Sequence, residues 1–151
     1  MKFNYLCSEC NHRYEIEPWL MVCPDCSKKQ EKNQPLKGIL EVELHGRADK
    51  AFDIPALLPV EPAFFPPIPV GNTPLWEPEN LRRELGIRGL FIKDDGAAPT
   101  GSFKDRASWL VSAFAKKFDI PDIVLASTGN AGSSMAGIGA AAGQKVTLFL
   151  P

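Results

Sequence analysis

The sequence predicts an α/β fold built on a parallel sheet, preceded by a small module held together by cysteines. Three observations carry this expectation. Residues 123–150 run strand, tight turn, small-residue helix and strand, which is the order of a βαβ unit. All four cysteines fall in the first 26 residues, as two Cys-x2-Cys pairs. Between these regions a proline-rich tract, from Pro55 to Pro78, interrupts regular structure.

Taken in order, residues 1–46 form the cysteine module, with an alternating stretch, Ile39–Leu44, that reads as a strand. Residues 47–78 read as an extended arm packed through its aromatics, Phe64 and Phe65 among them, and Gly71-Asn72 marks a turn at its end. Residues 79–151 carry the α/β portion. A short helix is expected over Glu79–Leu85, stopped by Gly86, then a strand over Leu90–Lys93. Ser102 is placed to cap a helix running to about Phe118, with Asp105 three positions on completing a variant capping box. The apolar, β-branched run Ile123–Ala126 reads as a buried strand. A helix rich in Gly, Ala and Ser follows over Asn130–Ala142, and a last strand over Lys145–Leu150. A parallel sheet needs helices on both faces, a three-layer arrangement. Residues 79–151 hold too few elements to cover one, so the chain reads as the N-terminal part of a longer protein.

Hydrophobic residues make up 44% of the 151 and charged residues 23%, with a net charge of −1. That composition excludes a disordered chain, and the missing basic excess removes the electrostatic case for nucleic acid or an anionic membrane. Lys28, Lys29, Lys32 and Lys37 form a local basic tract that reads as a solvated face. No apolar run reaches the roughly 18 residues needed to span a bilayer, and the N-terminus lacks the apolar stretch of a signal peptide. The expected location is cytoplasmic.

Cys7-x2-Cys10 and Cys23-x2-Cys26 each place two thiols on one turn. Two such turns supply a tetrahedral S4 set, which suits Zn2+, with a rubredoxin-like iron site as the competitor. His12 and His45 read as surface residues because four sulfurs already fill the site. A closed four-sulfur site is structural, and in a piece of under about 50 residues the metal is what permits folding.

The segment Pro99-Thr100-Gly101-Ser102-Phe103-Lys104-Asp105-Arg106 places Lys104 in the first turn of a helix. A cation there opposes the helix dipole by about 0.3–1 kcal/mol. The same field favours the neutral amine that a Schiff base requires, and Phe103 is an apolar neighbour that adds to it. A second helix start, Ser127-Thr128-Gly129-Asn130-Ala131-Gly132-Ser133, follows a buried strand, the context in which exposed N–H groups bind an anion. The alternative there is a closely packed small-residue helix capped only by its own Ser or Thr. Neither a GxGxxG after the strand nor a GxxxxGK[ST] is present.

Gly71-Asn72-Thr73-Pro74-Leu75, Lys93-Asp94-Asp95-Gly96 with Pro99 to Arg106, and Ser127-Thr128-Gly129-Asn130 together resemble the threonine synthase family. These are pyridoxal-phosphate enzymes of the tryptophan-synthase-β (fold type II) superfamily. The resemblance covers about residues 55–151, and an N-terminal cysteine ribbon resembles those on some threonine synthases. Serine/threonine dehydratases and cysteine synthases share versions of the three motifs, so the reaction is less specified than the superfamily. A non-catalytic zinc-ribbon interaction module is the reading from another class.

The resemblance implies that Lys104 carries pyridoxal 5'-phosphate as a Schiff base and shuttles protons. It implies that Phe103 lies near the cofactor ring, that Asn130 binds its phenolic oxygen, and that Ser127, Thr128, Gly129 and Asn130 bind the substrate. Asp105 and Arg106 are expected to tie down the helix start. The implied reaction converts O-phosphohomoserine and water to threonine and phosphate, in a protein expected to form a homodimer at full length. Ala107 stands where many relatives have glycine. The family's cradle for the cofactor phosphate and its partner for the pyridine nitrogen have no counterpart in these residues, so the 151-residue chain alone is expected to be inactive.

Overall fold

The computed structural model describes residues 1–47 and 54–150. It divides the chain into two compact units, Met1–Ala63 and Phe64–Pro151.

The first unit is a three-stranded antiparallel sheet in the order β2-β1-β3, formed by β1 (Lys2–Cys7), β2 (Arg13–Tyr14) and β3 (Leu40–His45). Its register pairs Tyr5 with both Tyr14 and Val42, and Cys7 with Leu40. The predicted strand Ile39–Leu44 is thus present, shifted by one residue. The hairpin β1–β2 was not legible in the sequence, because Lys2–Cys7 alternates weakly and β2 is two residues long. Cys7, Cys23 and Cys26 are the buried centre of this unit, with Tyr14 and Leu40 packed against them.

The expected arm begins in residues that lie outside the described ones, 48–53. Beyond them the proline tract forms short 3-10 turns at Ile54–Leu57 and Pro62–Phe64. Its aromatics do pack: the Phe65 ring sits 4.2 Å from that of Trp109, whose indole N–H donates to the Pro66 carbonyl at 3.1 Å. The turn at Gly71-Asn72 is formed by two consecutive left-handed residues, at φ 86° and 48°. A departure from expectation follows it. Leu75–Trp76 is a short strand (β4), paired antiparallel with Ile92–Lys93 (β5), so the strand expected over Leu90–Lys93 is half as long and does not pair with the parallel strands.

Helix α1 spans Glu79–Leu85 and stops at Gly86 with φ 67°, as the sequence predicts. Helix α2 spans Lys104–Lys117, strand β6 Asp122–Ala126, helix α3 Asn130–Ala142 and strand β7 Lys145–Phe149. β6 and β7 pair in parallel, Ile123 opposite Val146 and Leu125 opposite Leu148, so β6–α3–β7 is the expected βαβ unit.

Small residues let α3 lie close to its neighbours. A Cβ at Gly139 would stand 2.3 Å from Val146 Cγ2, and one at Gly137 would stand 2.6 Å from Thr100 Cγ2. Ser134 donates to Ser108 at 2.8 Å across the buried α2–α3 contact, and Ile138, Ala113 and Met135 fill the core around it. After α3, Gln144 clasps α2 by donating to the Ser112 carbonyl at 3.0 Å and accepting from its hydroxyl.

Gly139→Ala sets two effects against each other. Alanine gains about 1 kcal/mol of helix propensity, while overpacking against a stiff, β-branched valine costs roughly 1–3 kcal/mol. The expected outcome is a net loss, read as a lower urea midpoint at unchanged slope. Val146→Ala is expected to cost less in that background than in the unmodified protein.

Candidate functional site

In the first unit the four cysteine sulfurs all lie within 4.8 Å of one another. Cys7 Sγ is 3.8 Å from Cys26 Sγ, and Cys10 Sγ is 3.7 Å from Cys23 Sγ. A tetrahedron with metal–sulfur bonds of about 2.3 Å has edges of about 3.8 Å, so the set fits one metal ion; the separations are far too long for disulfides. Each Cys-x2-Cys turn is closed by main-chain bonds, from Asn11 N–H to the Cys7 carbonyl and from Ser27 N–H to the Cys23 carbonyl, both at 3.0 Å. Gly38 makes room for the second turn: at φ 76° it accepts from Cys23 N–H at 2.7 Å, and a Cβ there would stand 3.0 Å from Cys23 Cβ.

A hydrogen bond from the Tyr14 hydroxyl brings the Cys23 thiol down to about 6, and the amides of Cys26 and Asp25 act in the same direction. Burial pushes the Cys26 thiol up to about 12. Metal binding therefore has to displace protons. His12 and His45 are both exposed, as expected of bystanders.

In the second unit Lys104 is the first residue of α2 and half-buried. The local geometry departs from the expected capping box. Phe103 already has helical dihedrals, and the Ser102 hydroxyl accepts from Lys104 N–H at 3.2 Å. The Asp105 carboxyl does not reach back to residue 102, whose carbonyl accepts the Asp105 N–H at 3.2 Å. Gly101, at φ 77°, turns the chain so that Thr100 lies beneath the first turn, and the buried Asp105 carboxyl accepts from Thr100 N–H at 2.7 Å and from its hydroxyl.

Arg106 holds Asp95 through two bonds, of 3.0 and 2.7 Å, and donates to the Thr73 hydroxyl at 3.3 Å. Thr73 donates to Asp95 at 2.5 Å, and Lys93 Nζ donates to the Thr73 carbonyl. The network joins all three segments that precede and contain Lys104. Sequence reasoning treated Thr73, Lys93 and Asp95 only as parts of motifs; their adjacency is tertiary.

Lys104 Nζ lies 4.4 Å from the centre of the Phe103 ring and has no hydrogen-bond partner among the described residues. Phe103 itself is 57% exposed. Lys104 and Asn130 are the first residues of α2 and α3, each four residues ahead of the Ser108–Ser134 contact between those helices.

The Ser127 hydroxyl caps α3, accepting from Gly129 N–H at 3.3 Å and Gly132 N–H at 3.1 Å. The N–H groups of Thr128, Asn130 and Ala131 have no acceptor among the described residues. Ala131 is thus a candidate the sequence did not single out. Ser127 and Thr128 line an open depression of about 450 Å³ with Ala126, Phe149 and Leu150. It sits at the carboxyl ends of the parallel strands, where open α/β sheets bind ligands. Phe103, Lys104, Gly129 and Asn130 do not line it. A partnerless amine on one helix start and free N–H groups on the next fit an aldehyde-bearing, anionic cofactor and an anionic substrate.

The Arg106 guanidinium beside Asp95 holds its carboxyl well below the usual carboxylate range. A lowered folded value means that this stabilisation is complete above about pH 4 and is lost as pH falls through the folded value. Asp95→Asn is therefore expected to flatten the fall in thermal midpoint below about pH 4, measured as a pH series of melts.

Residues 68–151 match the family described as pyridoxal-phosphate dependent enzyme. Over 99% of its length the chain is 31% identical to threonine synthase of Methanosarcina acetivorans, covering 37% of that protein. Over 54% of its length it is 43% identical to threonine synthase of Methanocaldococcus jannaschii, covering 20% of that protein. A 2-amino-4-ketopentanoate thiolase beta subunit from an unknown prokaryotic organism is 43% identical over 74 residues, 44% of the chain. The chain thus spans between a fifth and two fifths of the length of these threonine synthases. With more than half of its residues matched by that family, the chain belongs to the pyridoxal-phosphate dependent enzymes.

Proposed function

We propose that the chain contributes the lysine-bearing part of a threonine synthase, a pyridoxal-phosphate dependent lyase converting O-phosphohomoserine and water to threonine and phosphate. The observation that carries this reading over other reactions of the family is coverage. Similarity to the Methanosarcina acetivorans threonine synthase extends over 99% of the chain, the cysteine region included, whereas similarity to the thiolase subunit stops at 44%. The setting would be a cytoplasmic enzyme of amino-acid biosynthesis, a homodimer at full length. Residues 1–46 would be its ribbon, 47–78 its arm and 79–151 the start of its catalytic domain.

Bound pyridoxal phosphate supplies an electron sink for carbanion chemistry. The residues of this chain bind, orient and move protons. Lys104 Nζ is the attachment point and the proton carrier, and its lack of a hydrogen-bond partner leaves it available for both. Phe103 lies against it as an apolar wall. Asn130, the first residue of α3, would help hold the cofactor through its phenolic oxygen. The free N–H groups at the start of α3, with the Thr128 hydroxyl, receive the substrate carboxylate, while Ser127 holds that start rigid. Because the chain spans so little of its relatives, the 151 residues alone should bind the cofactor weakly and not turn over.

In the first unit Zn2+ is the proposed occupant of Cys7, Cys10, Cys23 and Cys26, in a closed site that supports folding. Metal analysis is expected to give one zinc per chain in a colourless protein. A red, iron-containing protein would assign the site to iron instead.

The decisive test is borohydride reduction of the longest form of the protein after loading with pyridoxal phosphate, followed by peptide mapping. A pyridoxyl group on Lys104 is expected, as is its loss in Lys104→Ala. An unmodified Lys104 in the folded protein would overturn the enzyme reading. Assays with O-phosphohomoserine against serine, threonine and O-acetylserine then separate the threonine synthase reaction from dehydratase and cysteine synthase chemistry.

A further inference from the structure

Four thiolates around a divalent ion leave a site of net charge −2, and here three of the four cysteines are buried. Such charge needs hydrogen-bond donors around it. Apart from the cysteines themselves, one side chain among the described residues bonds any of the four sulfurs. Tyr14 places its hydroxyl 3.1 Å from Cys23 Sγ, and toward a thiolate the phenol is necessarily the donor.

The position is built rather than incidental. Tyr14 is held in β2 by pairing with Tyr5, its ring lies 4.6 Å from that of His12, and it packs against the buried cysteines beside Leu40. From the main-chain side Gly38 accepts from Cys23 N–H at 2.7 Å and leaves no room for a side chain. Cys23 is therefore gripped at both ends, at its amide by Gly38 and at its sulfur by Tyr14. Cys10, by contrast, is exposed.

We propose that Tyr14 is a positioning residue of the metal centre, its O–H···S bond setting the donor strength of the Cys23 thiolate toward the metal. The inference rests on the metal-site reading given above. Its consequence is an inequality among four chemically identical ligands. The Cys23 sulfur, sharing its lone pairs with a phenol, is a weaker electron donor than Cys7, Cys10 or Cys26, and it is fixed in direction.

The test compares cobalt(II) forms of the whole chain and of two variants. The unmodified chain should take up one cobalt ion and show thiolate-to-cobalt charge-transfer absorption. Tyr14→Phe should still take up one ion, with affinity lower by about tenfold or more, as for other partners of metal ligands. Its charge-transfer band should move to longer wavelength, because the sulfur lone pair loses the stabilisation of the hydrogen bond. Tyr5→Phe removes a hydroxyl from the cross-strand neighbour and should change neither reading.

The chain has two tyrosines, so fluorotyrosine incorporated in the Tyr5→Phe background alters Tyr14 alone. Fluorine strengthens the phenol as a donor, and the band should then move to shorter wavelength. A purely structural tyrosine has no reason to produce opposite shifts. This arm also decides the matter if Tyr14→Phe does not fold. An unmoved band in either Tyr14 form, or equal shifts in Tyr5→Phe and Tyr14→Phe, would overturn the proposal and leave the metal site standing. Failure of the unmodified chain to bind cobalt would overturn both.

Discussion

Asp105 is fully buried, and a buried carboxyl is tolerated only when its oxygens are occupied by donors. Here one residue supplies them: Thr100 gives both its N–H and its hydroxyl. The bond closes the segment from Thr100 to Asp105 under the first turn of α2, which Gly101 makes possible with φ 77°. Lys104 is thereby bracketed. On one side Ser102 takes its N–H, on the other Asp105 anchors the turn, and Arg106 one residue further is clamped to Asp95. A flexible four-carbon side chain begins from a backbone position with little freedom left.

That arrangement runs against local preference. A lysine at a helix N-terminus is disfavoured by about 0.3–1 kcal/mol. Its contact with the Phe103 ring, an exposed cation–π pair worth about 0.5–1 kcal/mol, roughly offsets this. The two effects nearly cancel, so stability gives no reason for a lysine in preference to an aspartate or glutamate, which the helix dipole favours in the first turn. A residue kept at a position where stability is indifferent to it, with a surrounding network that restricts it, is best explained by its chemistry.

Much of the α/β unit was legible because its signals are local. Gly86 ends α1 where a left-handed residue is needed, the small-residue run of α3 has the predicted limits, and β6 and β7 pair in the sense that a helical crossover demands. The start of α2 was misread for a tertiary reason. Ser-Phe-Lys-Asp has the spacing of a capping box, but Asp105 had a nearer partner in Thr100, and no spacing rule reveals a chain folded back by one glycine. The cysteine spacing revealed the cluster of four sulfurs and not the sheet around it, since a two-residue strand such as β2 acquires meaning only once closure of the Cys-x2-Cys turn fixes its register. The resemblance places Ser127 among the substrate-binding residues; in the structure its hydroxyl also accepts from the Gly129 and Gly132 N–H groups, the capping role that the sequence offers as the alternative.

The serine and glycine content of α3 follows from the same geometry. Bulkier residues at 137 and 139 would push α3 away from Thr100 and from Val146. Displacement from Thr100 would disturb the residue that holds Asp105, and so the start of α2. Displacement from Val146 would lift the C-terminal half of α3 from the start of β7. The close approach of one small-residue helix therefore bears on both the residue that anchors the lysine-bearing helix and the strand that follows α3. A site that presents an amine from the start of α2 depends on that anchoring, and the glycines at 137 and 139 are what let α3 approach without disturbing it.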